Sequence, residues 1–219
     1  MSAQPKVAVL LSGCGVYDGA EIHEAVLTLL ALSQRGAVAQ CFAPDIAQHH
    51  VINHLTGAEQ AESRNVLVEA ARIARGQIKP LADYQAADYD ALILPGGFGA
   101  AKNLSSFAFQ GPDCSVEAET ARALTETHAA GKPIGALCIA PAVVAKVLGK
   151  GLVTIGSDPA TAGAVEQCGA THIETAQTEI VVDAPLKLAT SPCYMLESSI
   201  AEIAEGADGV VAAVLSMIE

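Results

Sequence analysis

Three short runs of mainly aliphatic residues, each ended by a turn of small residues, are the feature that most constrains this chain. They cover residues 7–11, 90–94 and 132–137, and a helical pattern follows each of them. Unbroken apolar runs of this length are typical of parallel strands that helices cover on both faces. The sequence therefore predicts an α/β fold, a doubly wound sandwich with a mainly parallel sheet.

The order of the remaining patterns predicts one domain over residues 1–219. Asp18 and Glu21 resemble a capping box that would begin the first helix near residue 18. Residues 44–89 are mixed in polarity and contain one clear helix, residues 65–75, so we interpret about 44–89 as a helical insertion between two core strands. Residues 180–182 and 186–190 are predicted to pair as a hairpin, and helices are predicted from Met195 onward.

Charge and cysteine content disfavour several classes of protein. The formal net charge is −12 at pH 7 and no run is rich in Lys or Arg, which argues against DNA or RNA as partners. The segment of residues 1–6 is short and polar, so we expect neither a signal peptide nor a membrane partner. The six cysteines form no Cys-x-x-Cys pair, so we expect no zinc site. Free thiols in a reducing cytoplasm are the simplest interpretation, and we expect no cofactor.

Cys138 is the strongest candidate for a reactive group. It stands between the apolar run 132–137 and a helical pattern over residues 139–149. A nucleophile at such a strand-to-helix turn needs small residues two positions before and after it, and here these are Ala136 and Ala140. The alternative is that Cys138 is a small core residue, which is the more common role of cysteine.

The carboxyl ends of parallel strands meet at one edge of a sheet, which brings the turns after Leu11, Leu94 and Leu137 together. Backbone N–H groups of Gly96 or Gly97 and of Ile139 could then stabilise an oxyanion beside Cys138. Taken alone, residues 95–97 are equally compatible with an ordinary glycine turn.

A thiol near its usual pKa is mostly protonated at neutral pH, so Cys138 needs a neighbouring acid or base. Glu24, in the early turns of the first helix, is the best candidate, and Glu21 one turn earlier is a secondary one. The alternative is that both are solvated carboxylates at a helix start, where acids favour the helix dipole.

Histidines add little to this constellation. The last one is His172, so the late strand offers no imidazole for a Cys-His-acid triad, and hydrolysis of an amide ordinarily needs one. His23 is expected on another side of the helix from Glu24. His49, His50 and His54 lack an acidic or cysteine partner at ligand spacing, so we expect no metal there, and Cys14 and Cys193 are interpreted as bystanders.

These residues resemble the DJ-1/PfpI superfamily, which shares the class I glutamine amidotransferase-like fold. The resemblance is carried by Glu24 with the first strand and helix, by residues 94–104 (LPGGFGAAKNL) and by residues 136–141 (ALCIAP). Residues 53–57 (NHLTG) and 64–76 (RNVLVEAARIARG) are similar to the ElbB branch, named for enhanced lycopene biosynthesis. The resemblance covers nearly the whole chain.

The resemblance implies a flavodoxin-like sandwich, usually a homodimer, with Cys138 as the reactive thiol and Glu24 as the acid that contacts it. It also implies a glyoxalase that turns glyoxal or methylglyoxal into a hydroxy acid without metal or glutathione, an activity connected with deglycation, and an isoprenoid link that rests on the family name. Ile139 stands where active members typically carry histidine, so we expect weak turnover and neither amidotransferase nor protease activity. The alternative is a cysteine-based redox or carbonyl sensor, or a protein-binding module.

Overall fold

The computed structural model describes residues 4–218. The described chain contains nine strands and eight α-helices. The strands are β1 (Lys6–Leu10), β2 (Val38–Ala43), β3 (Ile78–Pro80), β4 (Ala91–Leu94), β5 (Ile134–Leu137), β6 (Leu152–Val153), β7 (Thr171–His172), β8 (Val181–Asp183) and β9 (Leu188–Ser191). The helices are α1 (Ile22–Gln34), α2 (Val66–Ile73), α3 (Phe98–Lys102), α4 (Phe107–Gln110), α5 (Ala118–Ala129), α6 (Ala140–Leu148), α7 (Pro159–Gln167) and α8 (Ile200–Ser216).

Seven of these strands form one sheet in the order β3-β2-β1-β4-β5-β9-β8. All neighbours pair in parallel except β8, which runs antiparallel to β9 as the predicted hairpin. The strands β6 and β7 form a separate two-stranded parallel sheet. The predicted α/β, flavodoxin-like fold with a mainly parallel sheet is confirmed.

Both faces of the sheet are covered because successive side chains of a strand point to opposite sides. Ala8 and Leu10 of β1 pack in the core beneath α5 and α6, whereas Val7 and Val9 pack in the core beneath α1 and α8. All four side chains are fully buried. This two-sided burial explains why the strand sequences are apolar throughout.

The first helix begins later than predicted. Its N-cap is Glu21, whose side chain accepts the N–H of Glu24, so the predicted capping role of Asp18 is wrong. Asp18 instead accepts the backbone N–H of Ile52 at 2.7 Å. The turn around Gly13 and Gly15 keeps Asp18 outside the helix, and a sequence pattern does not reveal that bend.

The segment 44–89 is tied to both the sheet and the turn after β1. It supplies α2, shorter than the predicted helix over residues 65–75, and also β3, the edge strand of the sheet. The amide of Asn103 connects the two regions, because it donates to the carbonyls of Ser12 and Asp18 and accepts the N–H of His49. The insertion boundaries at about 44–89 stay a prediction.

The C-terminal region contains a short 3-10 turn, Cys193–Met195, followed by the long helix α8. Ser199 and Glu202 form the capping box of α8. None of the described helices is long and apolar enough to cross a membrane. The helix α8 packs closely on β5, because a Cβ at Gly135 would lie 3.0 Å from methyl carbons of both Val210 and Val214.

This close contact predicts that Gly135→Ala destabilises the protein by about 1–3 kcal/mol through overpacking. Gly163→Ala, in α7, is the matched control, since a Cβ there meets nothing within 4 Å. It should stabilise the protein by about 0.5–1 kcal/mol through backbone entropy. Urea unfolding of both variants measures the difference, and a Gly135→Ala protein as stable as wild type would contradict the packing described.

Candidate active site

Cys138 occupies the turn between β5 and α6 in a strained backbone conformation. Its φ is +59°, a left-handed value that few residues other than glycine adopt. Its N–H donates to the carbonyl of Ser191 at the end of β9, which fixes the turn to the neighbouring strand. The side chain is only 6% exposed. The strained strand-to-helix turn has the conformation of a nucleophile elbow and holds the thiol at the carboxyl edge of the sheet.

The turn after β4 approaches this elbow so closely that only glycine fits. A Cβ at Gly96 would lie 2.3 Å from the Cβ of Cys138 and 2.8 Å from a carboxyl oxygen of Glu24. Gly97 has a φ of +95°, and a Cβ there would lie 2.3 Å from the backbone nitrogen of Glu21. Both glycines are therefore required for the three elements to meet.

Glu24 is completely buried and reaches the thiol from α1. One carboxyl oxygen accepts the N–H of Gly96 at 2.9 Å, and the other accepts the N–H of Tyr194 at 3.2 Å. The carboxyl also forms a hydrogen bond with the side chain of Cys138. The structure therefore brings Glu24 and Cys138 together, and the carboxyl is anchored by two backbone amides.

Burial determines the ionisation of this pair. It raises the pKa of Glu24 to about 8, and the negative charge of Glu21 adds to the shift. The pKa of Cys138 is raised well above its ordinary value, first by burial and then by the charge of Glu24. Because two adjacent buried anions repel each other, the pair carries at most one negative charge and holds both protons at neutral pH.

Two backbone amides favour the anionic form of the sulfur. The N–H groups of Gly97 and Ile139 hydrogen-bond to Cys138 and act to lower its pKa. The N–H of Gly96, by contrast, is already bound to Glu24. Of the candidate donors for an oxyanion, Gly97 and Ile139 therefore face the sulfur, and Gly96 instead orients the carboxyl.

Glu21 lies beside this pair without contacting the thiol in any described hydrogen bond. Its side chain caps α1 by accepting the N–H of Glu24 at 2.7 Å, and its own N–H donates to the carbonyl of Gly96. It also contributes to the raised pKa of Glu24. We therefore assign Glu21 a positioning and electrostatic role.

Sequence reasoning missed Tyr194 and undervalued Cys193. Both follow β9 and lie more than fifty residues along the chain from Cys138 and Glu24. Cys193 is fully buried at a φ of +44°, and its charge would raise the pKa of Cys138. The hydroxyl of Tyr194 lies 2.8 Å from Nδ1 of His23, so His23 contacts the site through Tyr194. The one available signal was the turn residue Pro192 after a buried strand.

The other histidines lie away from the thiol. His49 and His50 pack against the ring of Phe109, and His54 packs on Tyr17. Within residues 4–218, no group of three His, Cys, Asp or Glu side chains could hold a metal ion. Cys14 is half-buried, and burial followed by the charge of Glu69 raises its pKa.

A cavity of about 480 Å³ opens in front of Cys138. Its volume falls within the range of small-molecule sites. Helices α3, α4 and α7 and the turn after β9 supply its walls. The lining residues are Val16, Gly97, Phe98, Ala101, Phe107, Ala108, Cys138, Ile139, Thr161, Tyr194 and Met195.

The chain is similar to proteins with glutamine amidotransferase-like domains. It is 50% identical over 222 residues to glutamine amidotransferase-like class 1 domain-containing protein 3, mitochondrial, of Homo sapiens, and the match covers 97% of this chain and 83% of the relative. No protein-family model matches the chain.

Solved structures agree on the fold. The crystal structure of an isoprenoid biosynthesis protein with an amidotransferase-like domain from Ehrlichia chaffeensis matches with a TM-score of 0.92 and 36% identity, covering 97% of this chain and 99% of that one. Glyoxalase III from Candida albicans matches with a TM-score of 0.64 and 17% identity over 98% of both chains. The second match shows a shared fold alone.

The expected cytoplasmic location is wrong. The relatives from Homo sapiens, Rattus norvegicus and Danio rerio are all named as mitochondrial proteins. The expectation rested on reduced cysteines and on the polar N-terminal residues. Free thiols constrain the redox environment and do not identify the compartment, which explains the error.

The raised pKa of Glu24 predicts a pH-dependent stability difference between wild type and Glu24→Gln. Above pH 4.5 the unfolded wild type releases a proton that the folded protein keeps until about pH 8. Wild type should therefore lose stability relative to Glu24→Gln as the pH rises through this window, because only wild type must bury an ionisable acid.

Urea unfolding at several pH values measures this difference. Glu205→Gln, at an exposed position of α8, is the control and should follow wild type at every pH. A constant difference between wild type and Glu24→Gln across the window would contradict the ionisation described for Glu24.

Proposed function

This chain belongs to the family of glutamine amidotransferase-like class 1 domain proteins, and we propose that it is a glyoxalase that needs neither metal nor glutathione. It would convert glyoxal or methylglyoxal into the corresponding hydroxy acid. The observation that carries the proposal is the buried hydrogen bond between Glu24 and Cys138 at the base of a cavity. The similarity to the Ehrlichia chaffeensis protein and the insertion motifs also support membership of the ElbB branch.

In the first step the Glu24 carboxyl, the more acidic group of the pair, loses its proton to water, and the carboxylate then takes the proton of the Cys138 thiol, which leaves a thiolate beside a protonated carboxyl. The sulfur of Cys138 adds to the aldehyde carbon, so a C–S bond forms and the carbonyl π bond breaks. Glu24 donates its proton to the resulting oxyanion, and the product is a hemithioacetal. The N–H groups of Gly97 and Ile139 would stabilise the negative charge while it passes from sulfur to oxygen.

In the second step Glu24 moves a proton between the two substrate carbons. The carboxylate removes the proton from the carbon bound to sulfur, and the oxygen of the second carbonyl accepts the electrons to give an enediolate. Glu24 then returns the proton to the second carbon while the hydroxyl proton of the carbon bound to sulfur passes to the oxygen of the second carbon, which leaves a thioester of a hydroxy acid. Water cleaves the C–S bond, releases the acid and restores the pair, so no oxidant or reductant is consumed.

This chemistry suits a carboxyl–thiol pair better than amide hydrolysis does. Amide hydrolysis must protonate an amine leaving group, usually with histidine. The proposed route releases no amine, and the proton it moves travels between neighbouring carbons that one carboxyl can reach. The raised pKa of Glu24, about 8, lets the same group act as acid and as base near neutral pH.

We expect Cys138→Ala to abolish conversion of glyoxal to glycolate by purified protein without added metal or glutathione, because no sulfur remains to form the hemithioacetal. Cys14→Ala is the matched control, since Cys14 lies outside the cavity lining. Chromatography of glycolate measures both rates. Turnover by Cys138→Ala at the wild-type rate would contradict the mechanism.

A redox or carbonyl sensor is the second candidate, and the same donors favour it. A sulfinate at Cys138, formed by two-electron oxidations with peroxide, would accept hydrogen bonds from Gly97, Ile139 and a protonated Glu24. If sensing is the function, mass spectrometry after mild peroxide should show selective oxidation of Cys138. The glycolate assay should then show negligible turnover. Equal oxidation of all six cysteines would exclude this reading.

A further inference from the structure

The turn Cys193–Met195, which follows β9, contributes to the site in two ways. The backbone N–H of Tyr194 donates to one carboxyl oxygen of Glu24 at 3.2 Å. Tyr194 and Met195 also line the cavity in front of Cys138. The position of this turn therefore affects both the carboxyl and one wall of the cavity.

Local backbone preference does not hold this turn in place. Cys193, its first residue, has a φ of +44°, a left-handed value that residues with a side chain seldom adopt. Two backbone hydrogen bonds fold the turn, from Met195 to the carbonyl of Pro192 and from Leu196 to that of Cys193, but neither attaches it to α1. A strained conformation persists only where the surrounding contacts maintain it.

The side chains of Tyr194 and His23 supply a contact of this kind. The hydroxyl of Tyr194 lies 2.8 Å from Nδ1 of His23, and the two ring centroids are 5.9 Å apart. His23 directly precedes Glu24 in α1. Tyr194 is therefore bound to one segment of α1 at two points, through its hydroxyl to the imidazole and through its N–H to the carboxyl.

The phenol of Tyr194 remains protonated at neutral pH. Burial raises its pKa above the ordinary value, and negative charge on Glu21 or Glu24 adds to the shift. The phenol O–H can donate to Nδ1 of a neutral imidazole, and a protonated imidazole can donate to the phenol oxygen. The pair keeps its hydrogen bond in either state of His23, so it is a fixed attachment and not a pH switch.

We propose that His23 and Tyr194 are a pair of positioning residues for the acid–thiol site. The hydrogen bond between their side chains holds the turn Cys193–Met195 against α1 and thereby keeps the Tyr194 N–H on the carboxyl of Glu24. His23 is exposed and is not among the residues that line the cavity, so it acts through Tyr194. The inference rests on the proposed glyoxalase function only where it concerns rates, because the position of this N–H is a property of the folded site.

Loss of the attachment should change the ionisation of Glu24. The Tyr194 N–H favours the carboxylate and so lowers the pKa of Glu24, which burial holds at about 8. A longer hydrogen bond from this N–H should raise that pKa further. The other groups that face the carboxyl are left in place by changes to His23 and to the Tyr194 hydroxyl; they are Glu21, Cys138, Cys193 and the Gly96 N–H.

Carbon-13 NMR of the Glu24 carboxyl tests the pair in wild type, Tyr194→Phe, His23→Ala and the double variant. Each single substitution should raise the pKa of Glu24 by about 0.5–1, as expected for one weakened hydrogen bond. The double variant should show no larger shift than either single one, because both substitutions remove the same attachment. An unchanged or lowered pKa in either single variant, or shifts that add in the double variant, would overturn the pair.

Tyr84→Phe is the matched control. The hydroxyl of Tyr84 lies 2.6 Å from the Thr127 hydroxyl of α5, on the face of the sheet opposite α1. Its loss should lower stability in urea and leave the pKa of Glu24 at the wild-type value. Equal pKa shifts in Tyr84→Phe and Tyr194→Phe would mean that a general loss of stability moves the pKa, and would overturn the positioning role.

Kinetics separate this inference from the proposed function. With glyoxal as substrate, the acidic limb of the pH profile of kcat/KM should move to higher pH in Tyr194→Phe by the same amount as the pKa of Glu24. Wild type without conversion that depends on Cys138 would overturn the glyoxalase proposal, whereas the NMR shifts would still support the pair. An active enzyme in which neither the limb nor the pKa moves would overturn the pair and leave the glyoxalase proposal standing.

Discussion

The hydrogen bond between the Glu24 carboxyl and the Cys138 thiol is the interaction on which the arrangement of the site depends. It joins the first helix to the turn after β5, and it lies in a fully buried position where an unpaired polar group would be costly. The Gly96 amide from the turn after β4 and the Tyr194 amide from the turn after β9 complete the partners of the carboxyl. Three strand ends and one helix therefore meet at a single acidic group.

This arrangement explains the local backbone strain. The positive φ of Cys138 aims the thiol at the carboxyl, and the absence of a side chain at Gly96 lets the two turns touch. The sheet opposes this strain with a parallel register in which Leu137 lies beside Ser191, whose carbonyl accepts the Cys138 N–H. The burial that packs these turns together also raises the pKa of Glu24 and the pKa of Cys138.

Local patterns were sufficient to predict the mainly parallel sheet and the hairpin of β8 and β9. They indicated an elbow at Cys138 and Glu24 as the best acid, but left open that Cys138 is a small core residue and Glu24 a solvated carboxylate at a helix start. Ala136 and Ala140 identified the elbow, because steric limits at such a turn act on neighbours in sequence. Contacts between distant residues were beyond such patterns. The use of the Gly96 amide by Glu24, the approach of Tyr194 and the bond from Ile52 to Asp18 depend on how the turns fold against one another.

Family membership and the site address different questions. Similarity to the amidotransferase-like relatives establishes the family and the fold, whereas the substrate must be read from the cavity and its polar groups. The apolar walls around a single acid–thiol pair agree with aldehyde chemistry. The central claim is that Glu24 keeps its proton at neutral pH, so that the pair of Glu24 and Cys138 is neutral there.

Carbon-13 NMR of protein labelled at the glutamate carboxyl carbons tests this claim most directly, with the Glu24 signal assigned by its loss in Glu24→Gln. We predict that the Glu24 carboxyl titrates near pH 8, and that Cys138→Ala moves its pKa upward because a hydrogen bond to the carboxylate is lost. A Glu24 signal that titrates near the ordinary value of 4.5, unaffected by Cys138→Ala, would contradict the account.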